Sequence, residues 1–469
     1  MKRVVIVGGG ITGLATAHAL EKSREPCQVH LVEASPRLGG NLVTVCHNGF
    51  TIDGGPDSWV ATKPHATNLA KEVGLGDEVI GTRPDTRKVY IVWNKTLHAI
   101  PEGLVLGIPT EWRPFAETEL FGLDTKLRAL LEPIIPRRVF RGDDDESIGA
   151  FVTRRLGPDV AERIAGPLLG SIFAGEADSL SVRACVPQLV EAEAKYGSLV
   201  LAMRALRKER LTQIPSSEHE GSTFLSLKRG IGDLVTYVAH RLRDAELSPG
   251  NPARRVARLP EGDPRGRWAV ETAKGTLHAD HVALTMPANV SGRLVEDLDP
   301  TLASMLGDVG YVSTATVFLA YRKYDIRHPL DAVGFLVPRS ENRPILACTF
   351  VSSKWDHRAP AGQALLRVFI GGAGAEHHLK NDDQALVRLA RAQLRDLIGI
   401  ERAPTFAKVF RFDGASPQPT VGHLGRMGRL QERTATHPGL HVGGNGFIGT
   451  GIPDAIKQGE EIAARIEQS

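Results

Sequence analysis

Apolar positions in this chain come either as short unbroken runs or at spacings of three and four, and the succession of the two predicts the first elements. Val4 to Val7 is an unbroken run suited to a strand buried on both faces, and Val29 to Val32 is a second. Between them the glycines of Gly8-Gly9-Gly10-Ile11-Thr12-Gly13 stand at the spacing of a strand-to-helix turn, with a helix predicted from Gly13 to Lys22. Such a turn lets backbone approach a pyrophosphate, and the helix aims its free N–H groups and positive dipole end at the phosphates. Glu33 ends the second strand about twenty residues beyond Gly13, where a carboxylate can accept hydrogen bonds from a ribose diol. Strand, glycines, helix, strand and acid in register predict a βαβ dinucleotide site.

Further along, Phe50 to Asp53 reads as a strand running into the loop Gly54-Gly55-Pro56-Asp57-Ser58-Trp59, and Pro64 to Val73 as a helix closed by Gly74. Val89 to Val92 predicts a strand, with Asn94-Lys95 as the turn after it. From 102 to 196 the periodicity is helical and broken by prolines. Asp143-Asp144-Asp145-Glu146-Ser147 reads there as a solvated loop entering a helix N-terminus, in preference to a metal site. Ser222 to Lys228 returns to strand and Asp233 to Arg243 to helix. The stretch from Ala253 to Pro287 alternates strands and turns. The region 311–370 suits an antiparallel sheet with one face towards a ligand. Leu440 to Gly446 predicts a strand and glycine turn, and Gly449-Thr450-Gly451-Ile452-Pro453-Asp454 opens a last helix to about Ile466, a second N-terminus suited to an anionic group.

At 469 residues the chain exceeds what one core holds, so two or three domains are expected. A net charge of +3 supports no nucleic-acid partner, and Cys27, Cys46, Cys185 and Cys348 form no metal or disulfide pattern. A reducing cytosol fits this usage. The start at Met1-Lys2-Arg3 leaves no room for a signal peptide, and no run is long and apolar enough to span a membrane, although peripheral contact stays open. No Ser/His/Asp or paired-carboxylate signature is visible, so no catalytic side chain and no metal ligand is assigned.

The continuation Glu33-Ala34-Ser35-x-Arg37-x-Gly39-Gly40 resembles the extended motif of the flavin amine oxidase-like superfamily, which implies FAD in place of NAD. More specifically, Gly54 to Trp59 with Lys63-Pro64, Thr96 to Gly103, Arg154-Arg155-Leu156-Gly157-Pro158-Asp159-Val160, Pro167 to Gly175, Tyr196-Gly197-Ser198-Leu199 and Gly449 to Asp454 resemble the FAD-dependent protoporphyrinogen/coproporphyrinogen oxidases, end to end. The resemblance implies an α/β fold: a Rossmann-like FAD/NAD(P)-binding domain (1–85, 222–290 and 405–469), an inserted α+β substrate domain (86–101, 197–221 and 291–404) and a helical domain (102–196). It implies further FAD contacts at Asn41, Gly55, Pro56, Asp57, Ser58, Val256, Gly444, Asn445, Gly449, Gly451, Ile452 and Pro453.

The implied reaction is the six-electron oxidation of a porphyrinogen, with O2 reoxidising the flavin to give H2O2, in haem biosynthesis. The Gly-Pro-Asp-Ser loop, its lysine and Gly107-Ile108-Pro109-Thr110 look like the bacterial coproporphyrinogen-oxidising branch. Val89 stands where the animal and plant enzymes carry a propionate-binding arginine. Candidate substrate contacts are therefore Lys63 and Arg87 for propionates and Phe350 for the macrocycle. Protoporphyrinogen IX is the nearest alternative substrate. Amine oxidation, carotenoid desaturation and a non-enzymatic flavin-containing porphyrin carrier are more distant readings. A cytoplasmic monomer or homodimer is expected, with a downstream haem-pathway enzyme as a further partner.

Overall fold

The structure, a computed structural model, describes residues 1–86, 88–212 and 221–469. Arg87 lies outside the described residues. The first strand, Lys2–Val7, sits at the centre of a five-stranded parallel sheet in the order Glu246–Pro249, Cys27–Glu33, Lys2–Val7, His281–Leu284, Leu440–Val442. Alternation along the central strand explains why its run is wholly apolar. Val4 and Ile6 enter one core with Leu14, Leu31 and Ile456, whereas Val5 and Val7 enter the opposite one with Val256, Trp268 and Val282.

The glycine-turn helix is Ile11–Glu21, beginning two residues earlier than its spacing predicts. It packs between Gly232–Arg241 and the last helix, Ile452–Glu467, which explains its nearly uniform burial. On the sheet's other face lies an antiparallel meander, Ala253–Arg258, Trp268–Thr272 and Gly275–Ala279.

A second sheet has seven strands, in the order Phe406–Pro417, Tyr311–Arg322, Gln363–Gly371, Ala347–Phe350, Gly334–Leu336, Val89–Trp93, Thr96–Ala99. It is antiparallel except where Gly334–Leu336 runs parallel to Val89–Trp93. Helix Asp383–Ile398 covers one face with Leu386, Ala390, Leu394 and Ile398, one residue per turn and a half-step, and Asp382 caps it by accepting from the Ala385 N–H at 2.7 Å. Two expected boundaries need correction here. Phe406–Pro417 pairs along its length with Tyr311–Arg322, so it belongs to this sheet and not to the nucleotide side. Leu199–Thr212 contributes Leu199, Val200, Ala202 and Met203 to the helical core and not to the sheet region.

That helical core gathers Phe151, Ile164, Leu169, Phe173 and Leu189 with Ile91 of the sheet. The segment also contains a small hairpin, Leu104–Val105 with Ile108–Pro109, which the prolines and helical spacing conceal. The Arg154-Arg155 motif is explained by an ionic network. Arg155 and Glu132 are completely buried as a pair, and the Glu132 carboxylate also accepts from Ser198 Oγ and from the Leu199 N–H at 2.9 Å, tying three helices together. Arg154 bridges Glu146 and Glu193, each at 2.7 Å. The acidic run is thus solvated only in part: Asp143 and Asp144 are exposed, Glu146 is buried on arginines, and Ser147 caps helix Ile148–Leu156.

Candidate active site

The carboxyl ends of the parallel strands open on a cleft, the usual ligand crevice of such a sheet. Its lining brings together Gly8, Gly10, Ile11, Thr12, Glu33, Ala34, Gly39, Gly40, Asn41, Pro56, Asn445, Gly451 and Ile452 from four distant segments. Helix Ile11–Glu21 starts at Gly10 without any side-chain cap, leaving its first N–H groups for a ligand. A Cβ on Gly13 would stand 2.0 Å from the Gly8 carbonyl oxygen, so only glycine allows the turn to close on the helix. Glu33 is fixed at the strand end by the N–H of Gly9 at 2.6 Å and that of Ser35 at 2.7 Å, with carboxylate lone pairs still available for a diol. Thr285 braces the turn by donating to the carbonyls of Val7 and Gly8 at 3.0 and 2.9 Å.

Other expected contacts stand around this lining. Arg37 donates to the carbonyls of Leu38, Gly40 and Leu42 and so braces the Gly39-Gly40 loop from outside. Gly9, Ser35, Gly444 and Gly449 lie in the connecting loops, whereas Gly13 and Pro453 stand in the first turns of their helices. The side chain of Val256 is buried in the core, and only the free backbone edge of its strand faces outward. A dinucleotide fits these groups: the free N–H donors of an uncapped helix start, and two acceptors, a pinned carboxylate at a strand end and a buried Asn445 Oδ1 without a partner among the described residues. Thr285, Met286, Pro287, Ala415 and Thr450 also line the cleft, and sequence reasoning missed them. The position of Thr285 directly after strand His281–Leu284 was the available signal.

Next to the cleft lies a cavity of about 460 Å³ that shares Asn41, Pro56, Ala415, Asn445 and Thr450 with it. The seven-stranded sheet supplies Phe335, Phe369 and Phe412, and helix Gly166–Phe173 supplies Leu168, Ser171, Ile172 and Phe173. Gly55 also lines it, and a Cβ there would meet the Asn41 carbonyl oxygen at 1.9 Å. Cys348 lines the wall as a neutral thiol, because burial pushes its pKa up. Two cations interrupt this apolar surface, Lys354 and Arg367.

Asp57 is not on the cavity surface but behind it. It accepts from Lys354 Nζ at 2.9 Å, Trp355 Nε1 at 3.0 Å and Ser58 Oγ at 2.8 Å. Burial alone would raise its pKa. The charges of Lys354 and Arg367, with the indole N–H, outweigh that and hold the carboxyl well below its usual range. Arg367 donates to the carbonyls of Gly54 at 3.1 Å and Gly55 at 2.7 Å.

Two expected substrate contacts are not brought to this cavity. Lys63 reaches Asp454 at 2.7 Å, at the start of the last helix, because that carboxylate is the nearer countercharge. Phe350 is completely buried between Phe335 and His328, as a core residue of the sheet. The charged and aromatic residues that do line it, Lys354, Arg367 and Phe369 among them, carried no motif to mark them.

Residues 11–467 match the family described as flavin containing amine oxidoreductase. The coproporphyrinogen III oxidase of Bacillus subtilis (strain 168) is 36% identical over 465 residues, 98% of this chain and 96% of the relative. The protoporphyrinogen oxidase of Bos taurus is 30% identical over 486 residues, 99% of this chain and 98% of the relative. A crystal structure from Exiguobacterium sp. 255-15, provisionally named a protoporphyrinogen oxidase, superposes with a TM-score of 0.87 at 33% identity, covering 100% of this chain and 99% of that one.

Proposed function

Because the chain belongs to the flavin-containing amine oxidoreductase family, with FAD as its cofactor, we propose that it oxidises coproporphyrinogen III to coproporphyrin III in haem biosynthesis. Six electrons and six hydrogens leave the macrocycle in three two-electron rounds, and three O2 become three H2O2. The observation that carries this reading is the apolar, aromatic-walled cavity sharing a wall with the nucleotide cleft through Asn41, Pro56 and Asn445. Bound FAD supplies a two-electron acceptor that O2 can reoxidise. The chain's own residues hold the ring and exclude water: Phe335, Phe369 and Phe412 offer flat apolar surface, and helix Gly166–Phe173 closes over them. Coproporphyrinogen is preferred over protoporphyrinogen on the strength of the relatives and of the two cations in the cavity, which suit a more carboxylate-rich substrate.

Anaerobic coproporphyrinogen III should bleach the yellow flavin, and readmitted O2 should restore it while porphyrin fluorescence and peroxide rise together. Absence of turnover on either porphyrinogen overturns the reading. A higher kcat/KM for protoporphyrinogen IX reassigns the substrate, and peroxide formed only from a polyamine moves the chain to amine oxidation.

We place the enzyme in the cytoplasm with peripheral contact to an anionic membrane face. Among the described residues no helix is long and apolar enough to cross a membrane. Leu123, Leu127, Leu130, Leu131 and Ile134 are nevertheless exposed together along helix Leu123–Leu130 and the turn after it, with Arg128, Arg137 and Arg141 exposed beside them. Cosedimentation with phosphatidylglycerol vesicles should be lost in Leu127→Glu/Leu131→Glu, and no difference between the two proteins would remove this contact.

A further inference from the structure

Lys354 and Arg367 present a charge imbalance that their neighbours do not. The adjacent pair Arg358 and Asp53 is balanced: both are buried, they meet at 3.1 Å, and Arg358 donates further to Ser226 Oγ and to the carbonyls of Leu227 and Lys228. Neither residue of that pair lines the cavity. Lys354 and Arg367 do line it, and behind them Asp57 is the carboxylate not already paired elsewhere: Asp53 also acts on Arg367, but its contact is with Arg358, so three cations share two carboxylates. Among the described residues Arg367 makes no ion pair of its own. Among the described residues its Nη2 is spent on Gly54 and Gly55, its Nε is buried without a partner, and its Nη1 donates no hydrogen bond. The Lys354 ammonium uses two contacts on Asp57 and retains a third proton. Phe369 lies 4.3 Å from the Arg367 guanidinium carbon, and Trp355 and Phe224 flank Lys354.

An uncompensated buried cation is costly unless something supplies its countercharge. Rings alone do not neutralise it. We propose that Lys354 and Arg367 form a receptor for one carboxylate of the substrate, on the cavity wall they share with Gly55 and Pro56, and thereby determine preference for acidic macrocycles. This inference rests on the porphyrinogen reading and assigns to Lys354 and Arg367 the role that Lys63 was expected to play. Asp57 acts through them as a positioning residue: it holds Lys354 in place and leaves net positive charge facing the cavity.

The test uses oxidised holoenzyme and two probes, coproporphyrin III and its tetramethyl ester, which share a macrocycle and differ in charge. Fluorescence titration of the wild type should give tighter binding of the acid. Lys354→Gln and Arg367→Gln should each lower the acid-to-ester affinity ratio about tenfold, the effect of one charge-assisted hydrogen bond, and Arg367→Lys should restore part of it. Flavin absorbance identifies variants that have kept their fold. An unchanged ratio in flavin-loaded Lys354→Gln overturns the receptor, as does a wild type that binds acid and ester equally well. A lowered flavin midpoint potential in porphyrin-free Lys354→Gln, with the ratio intact, also overturns it by assigning the charge to the reduced cofactor. Porphyrinogen turnover is scored separately: a wild type that turns over coproporphyrinogen while its variants keep the ratio refutes the receptor alone, and one inactive on both porphyrinogens refutes the function.

Discussion

The two adjoining cavities are built on different physical principles. The nucleotide cleft is largely a backbone site: its donors are the free N–H groups at a helix start, its strand-end carboxylate is itself pinned by two backbone N–H groups, and its shape depends on positions where a single Cβ cannot be placed. The neighbouring cavity is a side-chain site, lined by aromatic rings from separate strands, two buried cations and one helix. A backbone site fails abruptly when its geometry is disturbed, because nothing flexible can give. A side-chain site degrades in steps, because each ring or charge contributes separately.

The largest expected effect follows from this contrast. Gly13→Ala puts a methyl 2.0 Å from the Gly8 carbonyl oxygen and 2.8 Å from Thr285 Oγ1, so turn and helix must separate. Flavin should be absent after desalting, as read from the ratio of absorbance at flavin and protein wavelengths. Far-UV circular dichroism should remain close to wild type, since the helix is otherwise well packed. Retention of a full complement of flavin would erase the distinction between the two sites.

Arg155→Met comes next and acts on the helical region. It leaves Glu132 fully buried with its counterion removed, which costs about 3–5 kcal/mol. Denaturant unfolding should show that loss. Because the network ties together the helical region that closes the substrate cavity, KM for porphyrinogen should rise while the flavin content of the folded protein stays unchanged. A variant that instead sheds flavin would show that the helical region and the cleft are coupled.

This contrast also governs what can be read from the chain. The cleft was legible because its residues fall in local runs, Gly8 to Gly13, Glu33 to Asn41 and Gly449 to Pro453, each tied to one turn or helix start. The parallel core strands were legible for the same reason. The cavity was not, because Phe335, Lys354, Arg367, Phe369 and Phe412 come from three strands of one sheet and a short helix, and their spacing along the chain carries no period. Lys63 and Phe350 show the limit of resemblance: each stands in the expected segment, yet the one is drawn to Asp454 and the other into the core. The strand Phe406–Pro417 was placed with the wrong sheet because chain order does not reveal register.

Acidification should separate the two regions at a smaller scale. His441 is buried on the nucleotide side, against His281 at 3.3 Å, and burial with the neighbouring His281 and Arg465 lowers its pKa to about 3 from 6.5. The folded state therefore binds fewer protons than the unfolded chain below pH 6.5. The stabilisation is fully present above that pH and is lost progressively as the pH falls towards 3. The His281 shift, led by burial, has the same sign. Melting temperature should fall as pH drops from 6.5 to 4.5, and His441→Gln should flatten that slope. An equal slope in the variant would place the acid-sensitive groups elsewhere.

The smallest expected effect concerns Lys63, and it bears most directly on how the substrate side is assembled. Its side chain is 48% exposed and its ammonium is held by Asp454, so the pair is a surface salt bridge worth about 0–1 kcal/mol. Asp454 also accepts from the Gly451 N–H at 3.2 Å and so caps the last helix without help from Lys63. Lys63→Ala should therefore leave the melting temperature within a degree or two, as about 0.5 kcal/mol would in a chain of this size, and leave kcat and KM for coproporphyrinogen within about twofold. A rise in KM of about tenfold, the size of the affinity loss expected for one charge-assisted contact, would mean that Lys63 leaves Asp454 for a substrate carboxylate. The cavity would then take charge from a mobile surface residue as well as from its buried wall, and the division between a rigid backbone site and a graded side-chain site would have to include a third, exposed component.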